Sequence, residues 1–157
     1  MRKDCGLDLF RDFTFDDITR AAPPDAKGVY VILVRKPGTP PGEIMKKLAP
    51  RISRLGWEMA EKYLLDRIGR IRNIGDCPVL YIGSAGTSPK SRLTLAGRYR
   101  ALVRRHTAQF PVWALLFFGW ELDFGWKATD HPREVEAGLK ERYLNRGRRA
   151  LPALVAR

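Results

Sequence analysis

Two tyrosines, an arginine and a glutamate in this chain are of types that could act on a phosphodiester. Tyr30 stands in Gly28-Val29-Tyr30 and Tyr81 in Tyr81-Ile82-Gly83; Arg98 follows Leu95 at helical spacing, and Glu136 precedes Leu139 and Lys140. Cutting a phosphodiester needs a positioned nucleophile with a base, a cation to offset charge building on the phosphate, and usually a divalent metal. A tyrosine can orient or deprotonate water, a guanidinium can clamp a phosphate through two parallel hydrogen bonds, and a carboxylate can hold the metal. Each side chain also has an ordinary reading. The tyrosines are then core residues with one hydrogen bond, Arg98 a snorkelling cation and Glu136 a surface or salt-bridged acid. A carboxylate leading a partly apolar stripe is costly to bury unless it is paired or bound to metal. Glu134 and Glu141 instead share a face with Gly138 and read as solvated. His106 completes the candidate catalytic set, although it lies about 80° around the predicted helix from Arg98.

The elements that must position these groups follow from local pattern. Residues 28–35 and 79–84 are β-branched and aromatic runs bounded by turn formers, and read as strands. The consecutive prolines of Pro37-Gly38-Thr39-Pro40-Pro41 stop the first. From Gly42 to Ile74, Trp57, Ala60, Leu64, Ile68 and Ile71 recur at steps of three and four, predicting a helical segment that Pro50 splits into a shorter and a longer helix. Its arginines and lysines form a solvated face or a DNA-reading one. Leu95 to Thr107 is a third helix. Val112 to Gly119, almost wholly apolar, reads as a strand buried on both faces, and the alternation of Trp120, Leu122, Phe124 and Trp126 as a half-exposed strand. The last helix starts near Asp130-His131-Pro132, with an Asp cap, and ends near Asn145; the tail at 148–155 is apolar enough to pack on the sheet. Thr14-Phe15-Asp16-Asp17 has capping-box spacing and predicts a short helix before Pro23-Pro24.

The chain has 157 residues, 45% of them hydrophobic, which fits a single domain spanning 1–157. Lys and Arg number 29 against 17 Asp and Glu, a net charge of +12. That surplus suits a polyanionic partner, because neutralised phosphates release counterions; a basic soluble protein or one on an anionic membrane surface shares it. Between Ser84 and Trp120 no acid occurs, while Lys90, Arg92, Arg98, Arg100, Arg104 and Arg105 do, making this the best local candidate for contacting phosphates. Trp120 and Trp126 could stack on bases or pack the sheet. No apolar run is long enough to span a bilayer, and acids among the first residues argue against a signal peptide. Cys5 and Cys77 read as reduced thiols of a cytoplasmic protein, with a disulfide as the alternative. Asn73, Asn145 and Gln109 are the only amides, a composition associated with hyperthermophiles and shared by arginine-rich, high-GC genomes.

Gly28-Val29-Tyr30 and Tyr81-Ile82-Gly83, with Arg98 in a Leu-x-x-Arg setting and Glu136 ahead of an apolar and then a basic residue, resemble the GIY-YIG nuclease family in order and context. The resemblance implies a small α/β (α+β) domain whose three-stranded antiparallel sheet is flanked by helices. It implies a DNA endonuclease on duplex or branched DNA, or on RNA, with the catalytically weak or inactive nucleic-acid-binding member as the alternative. It further implies that Glu136 holds one Mg²⁺ or Mn²⁺, that Arg98 offsets phosphate charge and that Tyr30, assisted by Tyr81, orients or deprotonates water. Tyr30 would need nearby positive charge to favour phenolate. The chain departs from the family in three places: a helical insertion at about 36–77 separates the motifs, Leu102 stands where some members have a histidine, and Val155 stands where a supporting asparagine is expected.

Overall fold

The structure, a computed structural model, describes residues 5–54, 56–87, 93–102, 109–146 and 150–155. Among these, β1 (Thr14–Asp17), β2 (Gly28–Lys36), β3 (Val79–Ala85) and β4 (Glu121–Ala128) form one antiparallel sheet in the order β1-β4-β2-β3. Helices α1 (Pro41–Ile52), α2 (Glu58–Gly69), α3 (Leu95–Ala101), α4 (Gln109–Phe117) and α5 (Pro132–Asn145) complete an α+β fold. The expected three-stranded sheet is therefore four-stranded.

The additional strand is β1, where a helix start was expected. Here side chains that can cap a helix serve a turn instead: Asp17 Oδ1 accepts from the Thr19 amide at 2.8 Å and from its hydroxyl at 2.5 Å. Phe15 lies over Gly125, its cross-strand partner. Arg35 on β2 pairs with Asp17 on β1 and with Glu121 and Asp123 on β4, tying three strands together and holding the Asp17 carboxyl far below its usual range.

The second correction concerns Val112–Gly119, which is mostly α4 rather than a strand. Periodicity cannot separate a buried strand from a buried helix in a continuous apolar run, and Ala114, Leu115 and Leu116 are good helix formers. Gly119, at φ 84, ends the helix. Trp120 N–H reaches Leu115 O at 3.0 Å and Gly119 N–H reaches Leu116 O at 3.2 Å, the paired bonds of a Schellman cap. Pro50 does not split the helical segment either. It sits in the last turn of α1, and α2 starts only at Glu58, after Gly56 takes φ 71.

The sheet buries both faces. Tyr30, Ile32, Val34, Leu122 and Phe124 pack under α1 to α4, whereas Val29, Val31 and Ile82 meet Leu139 and Tyr143 of α5 and the N-terminal Phe10 and Phe13. Each fully buried aliphatic or aromatic side chain contributes on the order of 2 kcal/mol. The tail closes on the edge strand as expected, with Leu154 N–H donating to Leu80 O at 2.9 Å. The cysteines are not reduced thiols: Cys5 and Cys77, 72 positions apart, form a disulfide, and the Tyr143 hydroxyl donates to Cys77 Sγ at 3.2 Å. No helix among the described residues is long and apolar enough to cross a membrane.

Candidate active site

A cleft of about 400 Å³ at the β3 edge is lined by Tyr30, Tyr81, Gly83, Ser84, Thr87, Arg98, Arg133 and Glu136. It thus gathers the two motif tyrosines, the helix arginine and the glutamate, which come from β2, β3, α3 and α5.

Two glycines make that convergence possible. A Cβ at Gly83 would lie 2.6 Å from Tyr81 Cε1 and 2.7 Å from Tyr30 Cζ and its hydroxyl, so the strand must be bare for both rings to cross it. A Cβ at Gly28 would lie 2.3 Å from Lys127 O and 2.6 Å from Leu95 Cδ1. Glycine there lets the first turn of α3 settle on β2, one turn before Arg98. The start of α3 is fastened by its own amides: Leu95 N–H donates to Ala26 O at 2.8 Å and Ala96 N–H to Pro24 O at 3.1 Å. Thr94 caps it by accepting from Gly97 N–H at 3.2 Å.

The tyrosines stack at 5.7 Å between centroids, and Tyr30 stacks on its other side against Phe124 at 5.4 Å. Tyr30 is 2% exposed, while Tyr81 on the edge strand is half-buried. Burial pushes the Tyr30 phenol well above its ordinary 10.0; the neighbouring Tyr81, a hydrogen bond with it and Glu136 add to the rise, and Arg98 opposes it. The phenolate expected at Tyr30 is thus disfavoured in the protein by itself. Arg98 is half-buried, and its Nε is buried with no hydrogen-bond partner among the described residues. Leaving a charged donor so is costly.

Glu136 reaches the cleft from the second turn of α5. Ser84 Oγ donates to its Oε2, and Lys140 Nζ donates to Oε1 at 2.7 Å. Its side chain is 20% exposed, whereas Glu134 and Glu141 are exposed as expected. The α5 N-cap is His131 rather than Asp130, with Pro132 following it.

Among the described residues no three His, Cys, Asp or Glu converge to hold a metal. One carboxylate lines the cleft, which suits Mg²⁺ or Mn²⁺, cations able to retain waters and take substrate phosphate oxygens as further ligands; each Glu136 oxygen keeps acceptor capacity beyond its one donor.

His106, Lys90, Arg92, Arg104 and Arg105 lie outside the described residues, and Arg100 is exposed on α3. Leu102 is buried in the core. Ser84, Thr87 and Arg133 were not anticipated. Ser84 directly follows the motif glycine, so strand alternation turns it toward α5, and Arg133 stands three residues before Glu136, on the same helix face. Comparison of the chain with protein-family models, curated proteins and solved structures finds no match in any of the three.

Proposed function

We propose that this chain is a metal-dependent nuclease of the GIY-YIG type that hydrolyses phosphodiester bonds in DNA. The convergence of Tyr30, Tyr81, Arg98 and Glu136 on one cleft carries this reading. Positively charged Arg98 and Arg133 on the cleft walls and the net charge of +12 fit a polyanionic substrate.

Arg98, on the cleft wall, binds a phosphate oxygen through its guanidinium and offsets charge as the phosphorus becomes five-coordinate. Tyr30 keeps its proton and, through its hydrogen bond, fixes Tyr81. Tyr81, less buried and at the sheet edge, is the hydroxyl that meets and orients the attacking water. Glu136 would hold a Mg²⁺ or Mn²⁺, which when bound supplies positive charge at the phosphate and the leaving oxygen.

The test is cleavage of supercoiled plasmid and of branched DNA with Mg²⁺, Mn²⁺ or chelator. Wild type should cut only with metal, and Glu136→Ala and Arg98→Ala should each lose about 10²-fold or more, the scale of a removed transition-state donor. Metal-dependent cutting that survives Glu136→Ala would sink the assignment.

A second reading, binding without efficient cleavage, is favoured by two observations. Lys140 already occupies one oxygen of Glu136, and the position expected to supply an amide is the buried Val155. Strongly salt-dependent DNA binding without cleavage would decide for it.

A further inference from the structure

Glu136 is held from two sides by donors of different character. Ser84 is buried on β3 opposite Val29, so strand register fixes its place, and its hydroxyl donates to Oε2. Lys140 reaches Oε1 from one turn further along α5, on a flexible stem that is 26% exposed. The tail, where the family resemblance leads one to expect a supporting amide, instead has the buried Val155, with Leu154 N–H donating to Leu80 O.

We infer that Ser84 is the positioning residue that aims the Glu136 carboxylate at a divalent cation, and that Lys140 is the resident counter-ion which that cation displaces. The inference rests on the nuclease reading above. A neutral hydroxyl can keep donating to a carboxylate oxygen after a metal binds, and such outer partners orient the ligand and raise its affinity. An ammonium cannot remain so placed without cost, because it is repelled by a dication a few ångströms away. The two neighbours therefore act on cation affinity with opposite sign. Ser84 also supplies from the sheet the polar support that Val155 does not supply from the tail.

Mn²⁺ alone, titrated into the full chain by calorimetry or electron paramagnetic resonance, tests this without any substrate. Ser84→Ala should weaken Mn²⁺ binding about 10- to 100-fold, the usual effect of removing an outer partner, and Lys140→Met should tighten it. Thermal melts check folding. The isosteric pair Ser84→Thr and Ser84→Val, which differ in the hydroxyl, gives the same comparison if Ser84→Ala unfolds: Thr should bind as wild type does and Val should not. Wild-type affinity in both Ser84→Ala and Ser84→Val overturns the role of Ser84, and weaker binding in Lys140→Met overturns that of Lys140; both outcomes leave the nuclease reading in place. No Mn²⁺ uptake by wild type, or undiminished uptake by Glu136→Gln, overturns this inference together with the cation role of Glu136. Ser84-dependent Mn²⁺ binding in a wild-type chain that cuts no DNA overturns the nuclease reading alone.

Discussion

Adding one methyl group at Gly83 should damage the candidate site more than most larger changes elsewhere. In Gly83→Ala the new Cβ would stand 2.6 Å from a Tyr81 ring carbon and 2.7 Å from the Tyr30 ring and hydroxyl. Ordinary carbon contacts lie near ~3.5–4 Å, so the rings must separate from the strand by about 1 Å. Tyr30 has nowhere to retreat. It is 2% exposed and clamped between Tyr81 and Phe124, whose centroids lie 5.7 and 5.4 Å away. The strain must pass to Phe124, to Trp126 beyond it at 6.2 Å, or to an outward shift of β3. Overpacking of this kind costs about 1–3 kcal/mol, and for a chain of this size Tm falls by about 2–4 °C per kcal/mol. The control is Gly138→Ala in α5, where the added methyl meets nothing within 4 Å and should stabilise by about 0.5–1 kcal/mol. Urea denaturation followed by circular dichroism measures both, and, on the proposed nuclease reading, plasmid cleavage measures whether the tyrosine pair still works. A Gly83→Ala protein as stable and as active as wild type would refute the claim that the motif glycine exists for the two rings.

Two further outcomes are expected. The raised Tyr30 value means that the folded protein holds this proton more tightly than the unfolded chain; the associated stability is present below the ordinary phenol value of 10.0 and declines as pH rises past it. Urea midpoints at about pH 9 and about pH 11 should therefore fall less in Tyr30→Phe than in wild type, and an equal fall would contradict the burial argument. Reducing the disulfide opens a loop of 72 positions, which should lower stability by about 2–4 kcal/mol; an unchanged Tm in dithiothreitol would count against the bond.

The sequence made some elements legible because their local and tertiary demands agree. Residues 28–36 and 79–85 are β-branched runs in strands that bury side chains on both faces, and the alternation expected of a half-exposed strand falls on β4, where Leu122 and Phe124 are buried, Asp123 is partly exposed and Glu121 is exposed. Where the demands diverge, local reading fails. Thr14–Asp17 carries a helix-start pattern, but pairing with β4 and the charge of Arg35 hold it as a strand. Residues 112–117 are apolar throughout, so nothing in their order reveals a helix; only the αL glycine at 119 marks its end. The disulfide stands only as an alternative in the sequence, because a separation of 72 positions says nothing about a Cα distance of 5.5 Å. In the cleft, residue type and motif order named four side chains, but the partners that orient them depend on α5 crossing β3 beside Ser84, a long-range packing fact.

The two tyrosines look equivalent in the sequence, and the strand order makes them unequal. β2 is an inner strand flanked by β4 and β3, so Tyr30 is covered by aromatic rings from its neighbours. β3 is an edge, and Tyr81 keeps part of its surface open to the cleft. On the proposed reading, burial keeps the inner hydroxyl protonated as a fixed donor or acceptor, and the outer hydroxyl faces the water and the phosphate. Charge then has to arrive from outside the aromatic stack. Arg98 approaches from α3 with a buried nitrogen that has no hydrogen-bond partner among the described residues, and Glu136 approaches from α5 on the opposite face with both oxygens engaged. The edge of the sheet is where residues from both layers can line one cleft.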